Sequence, residues 1–260
     1  MKIGIFDSGI GGISIATEIL NNSNNEVIYF ADNAFFPYGS KKEEIIAQRA
    51  FYISTKLINL GCELIIVACN TASSVALDDL RKSFSIPIIG IEPPVKPAMK
   101  ITSSGKVLLL ATSVTTKGDR LSRLEKNYTK QNKLFSISME GLAEDIESGK
   151  IQEKIKISKL ETTIREYIEH GVDTIILGCT HYYLIKKQLE KFLPSSINIL
   201  DAVDGVCKRV EILTKHDNVN SVTPNYFDCY VTGELASFIE SYKTILNYDY
   251  ELPEILVMKG

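Results

Sequence analysis

Two cysteines in this chain sit in matched surroundings. Cys69 closes the apolar run Leu64-Ile-Ile-Val-Ala and is followed by Asn70 and Thr71; Cys179 closes Thr174-Ile-Ile-Leu-Gly and is followed by Thr180 and His181. A thiolate is a base and a nucleophile. A thiol just after a strand and before a helix gains from the helix dipole, which favours ionisation relative to a free thiol of pKa ~8.5. The polar residues after each cysteine supply hydrogen-bonding groups, and backbone N–H groups at such turns can hold a carboxylate. Two such thiols facing one cleft would place a base and an acid on opposite sides of a single carbon. Inversion by deprotonation and reprotonation needs that geometry.

Other residues could serve the same chemistry. Asp7-Ser-Gly-Ile-Gly-Gly12 follows the first apolar run, yet its glycines do not form GxGxxG and no Walker lysine follows. The glycines are expected to let backbone approach a small anionic ligand, with Ser8 adding a hydroxyl and Asp7 orienting or taking a proton. His181, two residues from Cys179, is a candidate for assisting proton transfer. Asp32, Pro37, Tyr38 and Gly39 form a turn that could reach the same cleft. Cys62, Cys207, Cys229, His170 and His216 have no such company and are read as structural.

The elements that must position these residues are visible as alternation. Short Val-, Ile- and Leu-rich runs at 3–6, 27–30, 64–68, 86–91, 107–111, 174–177 and 197–200 fit strands buried on both faces of parallel sheets. Between them, 43–60 and 151–170 repeat apolar residues at three- and four-residue spacing, as amphipathic helices do. The class is therefore α/β. The chain also repeats itself: the run from Lys2 resembles that from Lys106, and the run from Leu64 resembles that from Thr174, at nearly equal separations. Two pseudosymmetric halves are expected, each a mostly parallel sheet flanked by helices, with the active site between them. The expected first domain is 1–95 plus 206–260 and the second is 96–205, with the crossing at the Pro-rich segment from Glu92 to Pro97.

Composition narrows the classes. With 260 residues, 45% hydrophobic and 23% charged, the chain can bury one large core or two modest ones. A net charge of −3 without a dense basic run does not favour nucleic acid. No apolar run approaches the ~18 residues of a membrane span, and the N-terminus lacks a secretory h-region, so a cytoplasmic address is expected. The five cysteines show no CxxC or paired spacing, which disfavours a disulfide framework or a zinc site.

Taken in order, these motifs resemble the glutamate racemases of the cofactor-independent aspartate/glutamate racemase family. The matching stretches are Asp7 to Gly12, Asp32 through Pro37-Tyr-Gly39, Val67 to Ser73, Ala111 to Thr115 and Leu177 to Tyr182, with weaker echoes at Asp201-Ala202 and Tyr230 to Gly233. The resemblance implies glutamate as substrate, no cofactor, a homodimer and a role in supplying D-glutamate for bacterial peptidoglycan. It implies that Cys69 takes the proton from D-glutamate and Cys179 from L-glutamate, assisted by Asp7 and His181. Asp32 and a second-half glutamate, aligned to Glu147 with Glu144 as the alternative, complete the acidic set. Ser8, Pro37, Tyr38, Gly39, Asn70, Thr71, Thr112, Thr115 and Thr180 would hold the substrate. Two positions depart from the pattern: Phe35 stands where a basic residue is common, and Tyr183 where proline often follows Cys-Thr-His-Tyr. The residues alone leave open a racemase for aspartate or another amino acid, a thiol redox or metal protein, and a non-catalytic binding protein.

Overall fold

In the computed structural model, residues 1–152, 154–214, 227–246 and 256–259 are described; His216 lies outside them. The strands in chain order are β1 (Lys2–Asp7), β2 (Glu26–Ala31), β3 (Leu64–Val67), β4 (Ile88–Gly90), β5 (Lys106–Ala111), β6 (Lys133–Ser138), β7 (Thr174–Gly178), β8 (Asn198–Leu200), β9 (Phe227–Val231) and β10 (Leu256–Lys259). They form two sheets. One has six strands in the order β10-β9-β2-β1-β3-β4; the other has four in the order β6-β5-β7-β8. Every pairing is parallel.

The two sheets share one topology. β1 has β2 on one side and β3 on the other, and β5 stands in the same way between β6 and β7. The two sequence repeats are therefore equivalent strands, β1 with β5 and β3 with β7. In each sheet the chain leaves the central strand in both directions, which opens a crevice at the carboxyl ends of the strands. Each cysteine follows the strand that borders its crevice.

Burial explains the strand composition. Ile3, Ile5 and Phe6 of β1 and all four residues of β3 are fully buried, as are Val107, Leu108 and Leu109 of β5. Side chains on both faces of these strands meet helices, so the runs read as continuous rather than alternating. Fully burying one such side chain contributes ~1.5–3 kcal/mol. The expected helix at 43–60 forms as Glu43–Asn59, and that at 151–170 as Lys154–Glu169.

Three strands carried no apolar-run signal. β6 is an edge strand in which no residue is fully shielded, and its Ser136 and Ser138 interrupt the apolar pattern. β9 joins β2 at the register Ala31↔Val231, and β10 pairs with β9. The helix Val95–Ile101 packs on β7 and on the helix Asp119–Tyr128 of the second sheet. The expected boundary at 205/206 falls inside the helix Val203–Thr214, which packs on the helix Ile13–Asn22 and on β4. No described helix is long and apolar enough to cross a membrane.

Candidate active site

Both cysteines stand where a parallel strand gives way to a helix. Cys69, in extended conformation, precedes the helix Asn70–Ser83; Cys179, also extended, precedes the helical turn Thr180–Tyr183. The two buried thiols line one cavity of about 380 Å³, large enough for a small polar molecule. Ser8, Asn70, Thr71 and Thr112 line it too, with Thr180 and His181 on the side of Cys179. The turn Pro37, Tyr38 and Gly39 closes another wall. Among the described residues its lining contains no lysine or arginine, so a bound carboxylate would rely on hydroxyl and N–H donors. No described group of three or more His, Cys, Asp or Glu residues could hold a metal ion.

Four expected residues do not line the cavity: Asp7, Asp32, Glu147 and Thr115. Each acts on a residue that does. The Thr115 hydroxyl accepts a hydrogen bond from Thr112 at 3.1 Å, and Thr112 meets Thr71 at 3.0 Å, so a hydroxyl chain crosses between the sheets. Asp32 is fully buried and bidentate to Arg49, at 2.6 and 2.9 Å; it also accepts from the hydroxyls of Tyr38 at 2.5 Å and Thr232 at 2.8 Å. It anchors the Tyr38 turn. Arg49 lies over the ring of Phe35, 4.1 Å from its centre, so this departure from the family pattern forms a cation–π contact.

Each thiol has its own titratable neighbour. On the first side, Asp7 is buried at 0% exposure, where it accepts from the Gly9 N–H at 3.0 Å and from the Thr180 hydroxyl at 2.9 Å. Burial raises its pKa above the ordinary carboxylate value despite the attraction of His181. Cys69 lies 4.0 Å from the Ser8 hydroxyl. Burial, then repulsion from Asp7, pushes the Cys69 pKa well up, against the lowering effect of a hydrogen bond from the Ala72 N–H. The helix N-terminus favours the thiolate as the sequence leads one to expect, but here it loses to desolvation. At rest, Cys69 is held as a thiol.

On the second side, His181 is buried and its Nε2 lies 2.6 Å from Glu147 Oε2. Burial alone would lower its pKa; hydrogen bonds to Cys179 and Glu147, with their charges, outweigh it and raise the value well above 6.5. Cys179 thus neighbours an imidazolium. Glu147 also accepts from the Ile10 N–H at 3.2 Å, whereas Glu144 faces the cavity. The remaining cysteines differ in place rather than in acidity: Cys62, Cys207 and Cys229 do not line the cavity, and burial raises the pKa of all three, Cys62 and Cys207 to about 12.

The glycine loop has a different use from the one expected. A Cβ at Gly11 would fall 2.6 Å from both His181 Nδ1 and Thr180 Oγ1, and one at Gly9 would fall 2.7 Å from Glu147 Oε2. These glycines admit the residues after β7 and Glu147 rather than a ligand. Spacing gave no sign of Arg49 or of the contact between Asn70 and Tyr183. Thr232 lay within the weak echo at Tyr230 to Gly233.

With this geometry in view, comparison with known proteins is decisive at family level. The profile of the Asp/Glu/Hydantoin racemase family matches residues 15–210. The chain belongs to this family. It is 38% identical to a glutamate racemase of Halothermothrix orenii over 214 residues, 82% of this chain and 85% of that one. Among solved structures it is similar to Escherichia coli glutamate racemase in complex with L-glutamate and the activator UDP-MurNAc-ala. That match has a TM-score of 0.84 and 29% identity, over 99% of this chain and 97% of the other. A glutamate racemase from Francisella tularensis, in complex with D-glutamate, matches at TM-score 0.78 and 27% identity, over 99% and 97%.

Proposed function

We propose that this protein interconverts L- and D-glutamate by a two-base mechanism. The observation that carries the reading is the placement of two buried thiols, from equivalent strand ends of two like sheets, on one small cavity. The glutamate assignment draws on the relatives named above.

The chemical difficulty is the weak acidity of the Cα–H bond. One cysteine, as thiolate, takes the Cα proton; the electron pair left on carbon delocalises into the α-carboxylate. The other cysteine, as thiol, delivers its proton to the opposite face. The two sulfurs exchange protonation states in each turnover. Asn70, Thr71, Thr112, Thr180 and Ser8, with the Tyr38-Gly39 turn, hold the substrate and meet the developing charge with fixed donors. Thr115 steadies Thr112. Cys69 serves D-glutamate with Asp7 as its helper; Cys179 serves L-glutamate with His181, which Glu147 keeps protonated. Asp32 supports the wall through Tyr38. The sheets correspond to two domains, and the resemblance extends the proposal to a homodimer that provides D-glutamate for peptidoglycan.

Incubation with L-glutamate in D₂O, without added cofactor, should yield D-glutamate carrying deuterium at Cα; aspartate should react far more slowly. Absence of exchange from either enantiomer would sink the proposal. Growth of a D-glutamate auxotroph on expression of this chain tests the physiological part.

A further inference from the structure

The peptide unit between Gly9 and Ile10 is gripped at both ends. Its N–H donates to Glu147 Oε2 at 3.2 Å, the same oxygen that lies 2.6 Å from His181 Nε2. Its C=O accepts a hydrogen bond from the Tyr29 hydroxyl at 2.6 Å. The peptide is trans, so its C=O and N–H point in opposite directions within one plane. A hydroxyl that fixes the carbonyl towards β2 therefore fixes the N–H towards Glu147.

Tyr29 is placed to do this rigidly. It lies within β2 at 0% exposure, paired with Ile5 of β1, and its ring stacks on Phe227 of β9 with centres 6.5 Å apart. The glycine loop folds closely over the hydroxyl: a Cβ at Gly12 would fall 3.1 Å from that oxygen. A buried tyrosine needs a partner for its O–H, but many carbonyls would meet that need. The one it takes belongs to the peptide whose other end holds the carboxylate beside His181. Glycine at position 9 would let this peptide turn over if nothing gripped its oxygen. Glu147 also has somewhere else to go, since it lines an outer polar depression with Ser148, Lys150 and Ser237. Without the N–H, water in that depression would compete for the carboxylate.

We infer that Tyr29 is a positioning residue: through the Gly9–Ile10 peptide, its hydroxyl holds Glu147 against His181 and so serves the Cys179 face from the core of the first sheet. The inference rests on the two-base reading above and adds a residue to it. Tyr29 does not line the cavity; it acts through a chain of hydrogen bonds that runs by way of the peptide, Glu147 and His181 to Cys179. The other titratable groups that face His181 are Cys179 at its own strand end and Asp7 at the end of β1. Tyr29→Phe leaves both in place.

The test uses the full chain and three variants: Tyr29→Phe, Glu147→Ala and the double variant. Tyr29→Phe keeps the ring and removes only the hydroxyl. The chain has three histidines, so NMR of histidine-labelled protein can follow His181 without turnover, with His170 as an internal reference. In Tyr29→Phe the His181 titration should move down by about half a pH unit, the share of one ordinary hydrogen bond. On the alkaline limb kcat/KM should fall about threefold. A merely structural role would lower the melting temperature and leave the His181 titration where it was. In the Glu147→Ala background, Tyr29→Phe should move the titration no further, because the peptide has lost its target. An unmoved titration in Tyr29→Phe, or a further downward shift in the double variant, overturns the inference. If the titration moves as expected while wild-type protein turns over no amino acid, the two-base reading falls and the positioning of His181 stands.

Discussion

The two cysteine faces share a topology and differ in electrostatics. Cys69 follows β3 and Cys179 follows β7, at the same place in two sheets in which β2-β1-β3-β4 corresponds to β6-β5-β7-β8. Yet Cys69 is held as a thiol by burial and by the nearby carboxylate of Asp7, while Cys179 neighbours a cationic His181. The repeat supplies position, and the partners supply chemistry. A two-base reaction needs both properties: thiols placed alike around one carbon, but with unlike protonation at any moment. The difference also ties the faces together. Thr180, next to Cys179, hydrogen-bonds Asp7 on the Cys69 side, and Glu147 reaches back to the Ile10 N–H of the glycine loop.

The most severe way to break the comparison is to remove one thiol. Cys69→Ala and Cys179→Ala should each lower racemisation by at least ~10³-fold, since each deletes a proton-transfer group. Their residual chemistry should differ. Cys69→Ala keeps the Cys179 face and should slowly exchange the Cα proton of L-glutamate in D₂O without inversion; Cys179→Ala should do so with D-glutamate. Proton NMR and circular dichroism, read together, check this. Ordinary turnover by either variant would show that the two faces are not a base and acid pair.

A smaller effect follows from separating His181 from its carboxylate. Glu147→Gln removes a charge that helps keep His181 protonated. The imidazolium is lost as pH rises through the His181 pKa, so lowering that pKa should move the alkaline limb of the kcat/KM profile to lower pH. At pH 8 the loss should be roughly 10- to 100-fold. Glu144→Gln is the contrast: Glu144 faces the cavity without a bond to His181, so substrate affinity should change and the limb should stay. If Glu144→Gln moves the limb and Glu147→Gln does not, the roles of the two glutamates are reversed.

Much of this arrangement could be read from sequence, and the limits have physical causes. Seven apolar runs became strands because buried parallel strands leave an unbroken apolar signature. Edge strand β6 leaves none: its Leu134, Phe135 and Ile137 are only partly shielded, and Ser136 and Ser138 break the run. The cysteines were legible because strand, thiol and polar turn lie within eight residues. The long-range contacts behind them were not. Asp32 meets Arg49 through the fold, His181 meets Glu147 across 34 residues, and Asn70 meets Tyr183 across 113. The sign of the Cys69 environment was hidden for another reason. The helix N-terminus that favours a thiolate is a local feature; the burial and the Asp7 charge that oppose it come from packing.

The smallest expected effect concerns stability on the Cys69 side. Asp7 has a pKa raised by burial, so the folded state favours its protonated form more than the unfolded state does. The sign is fixed by that shift. Its favourable contribution is complete below the unfolded value of ~3.8 and is lost as pH rises through the folded value. At neutral pH the ionised group therefore costs stability. Asp7→Asn keeps an oxygen for the Gly9 N–H and offers an NH₂ group to Thr180, so both bonds survive while the charge goes. The variant should melt higher at pH 7 by roughly 2–4 °C, the change that ~1 kcal/mol makes in a chain of this size. The gap should narrow as pH falls towards 4. Its activity should drop chiefly with D-glutamate, where Cys69 is the base. A gap that widens on acidification would mean that Asp7 is stabilised as a carboxylate in the fold, and the contrast between the two faces would then rest on His181 alone.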